Sequence, residues 1–442
     1  MPMVNKDQRR RYGILFAIFI FIIIAVLTFN LISLKRDRYP KKSVTKLYFA
    51  DNMSEAHQKI IEKFNQDHRG NIEVVPIDLT FEKFTTNDRK ELIARSLRSR
   101  SSRIDIFAVD QIWVPRFAKW GEPLMAYFSD ADLLAIVPQA LKTCYYQDIL
   151  LGIPLYLDLG VLYYRQDLIK NTPESDEIMR KLTHSIAWDD LIEYGQRHFP
   201  GKPFYLFQGE KYEGLVCNYL EILESMGGKW SAENQFSLNT PIGRQSAKFM
   251  LDLIIKYKVT PPLVSSFIER ESYLYALEQD APFFRGWSNF LKDVPVGTAD
   301  SIKIKNLGVS FLPHFDDNPP VTIFGGWNLM ISKYSKKKLE AIEFLHYILA
   351  EEAQKIMFET SGYLPILKKI YTDQQIVAKY PYIKFFGSMM DYGIYRPAVV
   401  NYTKISDVLA FYLNSILKQD LSVEKAMQLV DQTVSSDQIF LR

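Results

Sequence analysis

Rings and acceptor groups recur side by side along this chain: Asp110 with Trp113, Tyr156 with Asp158, Tyr212 with Glu213, Trp287 with Asn289, and Trp327 with Asn328. A sugar has apolar C–H faces and a rim of hydroxyls, so a site that holds one needs flat apolar surfaces with carboxylates or amides around them. Charge-assisted hydrogen bonds contribute about 1.5 to 3 kcal/mol each, and desolvated rings supply the apolar area. The pattern fits a carbohydrate better than a lipid, a metal or an anion. Each pair also has a structural alternative, with Trp113 and Trp287 as core tryptophans and Asp110 and Asp158 as helix caps or acceptors of loop amides.

Other chemistries lack their residues. The six histidines are scattered, with no His-Glu-x-x-His and no Cys-x-x-Cys, so no metal site is expected. There is no Walker loop, dinucleotide fingerprint or nucleophile elbow, and no cofactor is expected. Cys144 and Cys217 lie far apart in no redox spacing, which reads as two unpaired core thiols rather than a disulfide.

The elements that must position these groups are legible in outline. The run "VTKLYFA", a helix over residues 54–67, the strand "NIEVVPIDL", a basic helix and the strand "IDIFAVD" alternate as in a doubly wound α/β lobe. Ligands in such lobes sit beyond the carboxyl ends of the strands, where residues 51–55 and 110–113 fall. A second region starts at "LLGIPLYLDLGVLYYRQDLI", where apolar runs alternate with turn residues, and a short strand is expected at "FGGWNLMIS". The helix within "FQGEKYEGLVCNYLEILESMGG", residues 207–228, has an apolar face of Leu215, Tyr219, Ile222, Leu223 and Met226 and a Gly-Gly stop. Glu213 suits its first turn, and Gln208 and Tyr212 are expected to project from the helix entrance.

At 442 residues the chain suggests two lobes plus an appendage. The appendage is residues 13–34, uncharged and long enough as a helix to cross a bilayer, with no small-residue cleavage site after it. It reads as an uncleaved anchor. Lys6, Arg9, Arg10 and Arg11 precede it, while Lys35, Arg36, Arg38, Lys41 and Lys42 follow, so charge gives no clear orientation; a short cytoplasmic tail would leave the bulk of the chain outside. Residues 1–42 hold nine Lys/Arg and two Asp/Glu, which leaves 45 basic and 49 acidic residues for the remainder. That balance argues against nucleic acid as a partner. The local exception is "RKELIARSLRSRSSR", residues 89–103, whose arginines face either solvent or phosphate-bearing groups.

Six segments in order, "DIFAVDQIWVPRFAKWGEPLMAYF", "GIPLYLDLGVLYYRQDLI", "FQGEKYEGLVCNYLEIL", "GVSFLPHF", "FGGWNLMISKYSKKKLEAIEFL" and "RPAVVNYTKISDVLAFYLNSIL", resemble the extracellular solute-binding proteins of sugar ABC importers, nearest to the trehalose/maltose-binding branch. The resemblance implies a two-lobe α/β periplasmic-binding-protein-like fold with a hinge, preceded by one transmembrane helix. It implies a tail, anchor and linker over 1–42, lobe 1 from 43–154 and 327–364, and lobe 2 from 155–326 and 365–442, with crossings near 155–160, 324–327 and 364–371. The binding positions it implies are Asp110, Tyr156, Asp158, Tyr212, Glu213, Trp287, Gly326, Trp327 and Arg396, with Trp113, Arg89 and Glu55 beside them. It further implies a monomer that takes a small sugar and docks on the permease subunits of the transporter, with its soluble part on the extracytoplasmic side of the membrane. A membrane-tethered glycoside hydrolase or lyase is the competing reading, since carboxylates and aromatics line such clefts too. A sensor or adhesion ectodomain is another, although the dozen or so residues ahead of the span are too few for a cytoplasmic signalling domain.

Overall fold

The structure is a computed structural model, and it describes residues 6–36, 44–80, 83–84, 86–100, 102–230, 237–293, 301–315 and 318–436. Helix α1 (Lys6–Arg36) stands apart from the rest, and its stretch Arg10–Asn30 has a mean hydropathy of 2.8 with none of it buried. Of the cations expected to follow the span, Arg38, Lys41 and Lys42 lie outside the described residues.

Among the described residues eleven strands follow: β1 (Thr45–Asp51), β2 (Ile72–Asp78), β3 (Ile106–Asp110), the hairpin β4 (Tyr145–Tyr146) and β5 (Ile149–Leu150), β6 (Ile153–Arg165), β7 (Tyr205–Leu206), β8 (Phe283–Trp287), β9 (Leu307–Ser310), β10 (Thr322–Ile331) and β11 (Gly393–Ile394). Nine form one sheet in the order β2-β1-β3-β10-β6-β8-β7, with β11 added to β10 and β9 to β6. The parallel trio β2-β1-β3 is linked through α2 (Glu55–Asp67) and α3 (Thr86–Arg98), the alternation that the sequence pattern predicts. Ser54 caps α2, and Ala56, Ile60, Ile61 and Phe64 turn its apolar stripe inward.

Two strands tie the halves of the sheet together. Residues 153–159 of β6 pair with β10, whereas residues 160–164 pair with β8 on one side and residues 162–165 with β9 on the other. Strand β10 joins β11 at its start and β3 at its end, with an irregularity between Trp327 and Asn328. Both strands are longer than the sequence pattern suggests. β6 runs thirteen residues without a turn, and β10 ten. The turn-forming residues within β6 serve other ends: a Cβ at Gly160 would lie 2.0 Å from the Glu221 carboxylate, so the glycine makes room rather than a bend.

The interior falls into two clusters. One contains Phe49, Phe107, Leu329 and Phe344 around the first half of the sheet and continues through Tyr371, Ile383 and Phe386 to Tyr163 and Phe284. The other contains Leu162, Trp188, Leu215, Met250 and Leu413. Strand alternation explains the split, since Leu162 and Tyr163 leave opposite faces of β6. The helix Tyr382–Met389 therefore packs on the cluster shared with β1 and β3, and the Phe385 ring also meets Phe311, at 5.2 Å between centroids.

Candidate functional site

The strand register draws several of the predicted residues into one belt. Trp327 of β10 is paired with Asp110 of β3 on one side and Tyr156 of β6 on the other. Gly325 faces Asp158, and Gly160 faces Trp287. With side chains alternating along a strand, Tyr156 and Asp158 share one face of β6 with Gly160, and Gly325 shares a face of β10 with Trp327. The Trp287 ring settles over the glycine: a Cβ at Gly325 would lie 2.9 Å from that ring and 3.2 Å from the Asp158 Cβ. Gly326 has φ of +129°, and a Cβ there would come within 2.4 Å of the Tyr156 carbonyl oxygen, so this turn of the strand admits only glycine.

A buried arginine joins the belt to the helix Glu213–Ser225. Arg396 donates to both oxygens of Asp110, at 2.9 and 3.2 Å, and to Glu213 Oε1 at 2.9 Å. Glu213 sits in the first turn of its helix and also accepts from Tyr402 at 2.6 Å and from Ser406. Burial works against the charge of Arg396, but Asp110 and Glu213 more than offset it and hold the guanidinium protonated. Its Nε is buried with no acceptor among the described residues.

Each of the two belt tryptophans is covered by a guanidinium fixed by its own carboxylate. Arg89, fully buried, pairs with Asp51 at 2.6 Å and lies 4.1 Å from the Trp327 ring centre. Arg285, also fully buried, pairs with Glu221 at 2.8 Å and lies 4.0 Å from the Trp287 ring. These stacks orient the rings electrostatically as well as sterically. Trp287 is held further by its indole N–H on Glu269 at 3.1 Å and its backbone N–H on the Tyr273 hydroxyl at 2.9 Å.

Asp158 accepts from the Ser288 hydroxyl at 2.5 Å and from the Leu159 amide at 3.1 Å. Burial outweighs these bonds and pushes its carboxyl up to about 7. Tyr156 stacks on Tyr363 with ring centres 4.0 Å apart.

Several expectations change in the folded chain. Tyr212 does not project forward; its ring folds back on its own helix, where a Cβ at Gly214 would lie 2.1 Å from the phenol oxygen, and burial and then Glu269 push that phenol well up. Gln208 is interior, donating to Ser272 at 2.8 Å and to the Arg285 carbonyl at 3.0 Å. Trp113 is a core ring edge-on to Trp327 at 5.9 Å, as its structural alternative had it. Glu55 stands apart from the belt, exposed and paired with Lys59 at 2.7 Å. Asn328 leaves the opposite face from Trp327 and donates to Thr143, because neighbours on a strand point opposite ways. Asp51 stands at a carboxyl strand end as the pattern has it, whereas Tyr363, Glu221, Arg285, Ser288, Tyr402 and Ser406 were missed. Only the spacing of Tyr402 and Ser406, four apart on a helix, could have flagged a shared face.

Cys144 and Cys217 are both free and buried, and burial pushes both thiols up. No group of His, Cys, Asp and Glu placed to hold a metal occurs among the described residues.

Residues 49–355 match the family described as bacterial extracellular solute-binding protein. The chain belongs to that family. This solute-binding protein is 27% identical over 363 residues to a protein of Deinococcus radiodurans named "Probable ABC transporter-binding protein", covering 78% of this chain and 82% of the relative. It superposes on maltose-bound MalE3 of T. maritima with a TM-score of 0.77 and 26% identity, over 88% of this chain and 98% of the other. It shares its fold with an ABC transporter solute-binding protein of Agrobacterium radiobacter in complex with ribitol, at a TM-score of 0.73 and 18% identity, over 89% and 98%. Membership makes the chain a binding protein, and the hydrolase and lyase readings fall with it.

Proposed function

We propose that this solute-binding protein captures a neutral sugar, in the class of trehalose, maltose and related glucosides, and presents it unaltered to the permease subunits of an ABC importer. The observation that carries the reading is the belt of Asp110, Trp327, Tyr156 and Asp158 across three adjoining strands, joined through Arg396 to Glu213. Acceptors, a donor and ring faces converge there, as a polyhydroxylated ligand requires. MalE3 of T. maritima is bound to maltose, and the Agrobacterium protein to ribitol, so the fold leaves the identity of the sugar to the side chains.

The lobes in this reading are 43–154 with 327–364, and 155–326 with 365–442. Their hinge in this reading is where β6 and β10 change partners, with Leu364, bridged to Leu157, in the third crossing segment. A sugar that touches both lobes favours the closed arrangement by its differential affinity, and a shift from 1:99 to 99:1 takes about 5.5 kcal/mol. A few charge-assisted hydrogen bonds and two stacked rings supply that much. Helix α1 acts as an uncleaved anchor that holds a monomeric receptor on the extracytoplasmic face and raises its effective concentration at the permease. Titration calorimetry against trehalose, maltose, glucose and ribitol tests the binding reading. Saturable heat with at least one disaccharide, weakened by Trp287→Ala, is expected; no heat with any of the four would overturn it.

A further inference from the structure

The basic stretch at 89–103 plays no part in the belt beyond Arg89. Its last turn, together with the segment after β3, forms a separate cavity of about 180 Å³ lined by Arg98, Arg116, Lys119, Trp120 and Val400. Three cations and one indole surround this space, and one acid serves two of them: Glu91 accepts from Arg98 at 3.1 Å and from Arg116 at 2.8 Å. Lys119 lies 4.4 Å from the Trp120 ring centre, and the Arg116 Nε is buried without an acceptor among the described residues. Arg95 and Arg100, both exposed, add two cations at or just past the last turn of α3, while Asp88 sits in its first turn. Residues 43–442 carry more acids than bases, so this concentration runs against the charge of the body.

We propose that this pocket binds a phosphate-type anion, and that its source is the headgroup of an acidic lipid in the bilayer that α1 enters. The lipid assignment rests on the reading of α1 as an anchor. Eight residues separate Arg36 from Thr45, and an extended chain covers at most about 3.5 Å per residue, so β1 begins within roughly 30 Å of the end of α1. The pocket belongs to the same half of the sheet as β1, within reach of a membrane surface. Guanidinium groups bind phosphate oxygens in a planar fork, the indole offers the glycerol portion an apolar wall, and each cation near an anionic surface strengthens attachment about fivefold.

The test uses the full chain reconstituted in nanodiscs of phosphatidylcholine, with or without phosphatidylglycerol, and reads hydrogen exchange over residues 91–100 and 114–121. Phosphatidylglycerol should slow exchange there and not elsewhere in the body, and the double variant Arg98→Gln/Lys119→Gln should abolish the effect. Inorganic phosphate added to phosphatidylcholine discs separates the sources. Protection by phosphate but not by phosphatidylglycerol would overturn the lipid assignment and leave a free-anion site. Protection by neither, or protection that survives in the double variant, would overturn the proposal. A chain that fails to enter the discs would overturn the anchor reading and the lipid source with it, and the phosphate arm would still decide the pocket. Sugar binding by the double variant in phosphatidylcholine should match the unmodified chain, which shows that it is folded and keeps the two proposals separable.

Discussion

Asp158 is a belt residue whose charge state depends on its surroundings. Its carboxyl is pushed up to about 7 by burial, against an ordinary 3.8, so between those values the folded protein keeps a proton that the unfolded chain has released. Stability from this group therefore falls as pH rises from about 4 to about 7 and levels off above, the reverse of a salt-bridged aspartate. Melting temperatures across that range should show the fall, and Asp158→Asn should flatten it while preserving the Ser288 bond. Glu213 acts differently, with both oxygens engaged by Arg396, Tyr402 and Ser406. Glu213→Gln keeps the shape but removes the charge that helps hold Arg396, and sugar affinity by calorimetry should fall roughly ten- to hundredfold with little change in melting. Unchanged affinity would take Glu213 out of the site. Arg285 and Glu221 are both buried, and Glu221→Gln leaves the guanidinium beneath Trp287 without its counter-charge. Urea unfolding should show a loss of about 3–5 kcal/mol.

At the scale of elements, β6 and β10 have a double duty as core strands and as the connection between the halves of the sheet. Gly326 is where that duty is most exacting, because its backbone is left-handed and the Tyr156 carbonyl stands where a Cβ would be. Gly326→Ala should cost about 2–5 kcal/mol in urea unfolding, combining backbone strain with overpacking. Gly201→Ala is the control: its φ is +73° but nothing lies within 4 Å of the added carbon, so about 1 kcal/mol is expected. Equal losses at the two positions would show that the contact with Tyr156 contributes nothing.

For the whole molecule, closure is a question of how the two sheet halves approach each other. Arg396 is bonded to Asp110 and Glu213 at once and so links β3 to the helix Glu213–Ser225. Small-angle scattering should show a smaller radius of gyration with saturating sugar, and Arg396→Gln should shift that curve to higher sugar concentration. Anchoring is tested separately. The full chain should stay with membranes after alkaline washing, and removal of residues 1–42 should release it with unchanged sugar affinity.

The sequence by itself determined the alternation of strand and helix in β1 to β3, the long apolar helix α1, the isolation of the two cysteines and the likeness to a family, because periodicity, length and ordered motifs are local properties of the chain. Membership, fold and several of the ring and carboxylate residues that meet in the belt were legible at that level. Which neighbours cooperate was decided only by tertiary structure. Adjacent residues on a strand diverge, so Trp327 and Asn328 part company, while Trp327 meets Asp110 and Tyr156, far away in the chain, through register. The buried arginines behind the rings, the inward turn of Gln208 and Tyr212, and the outward placement of Glu55 likewise follow from packing between distant segments, which no local pattern encodes.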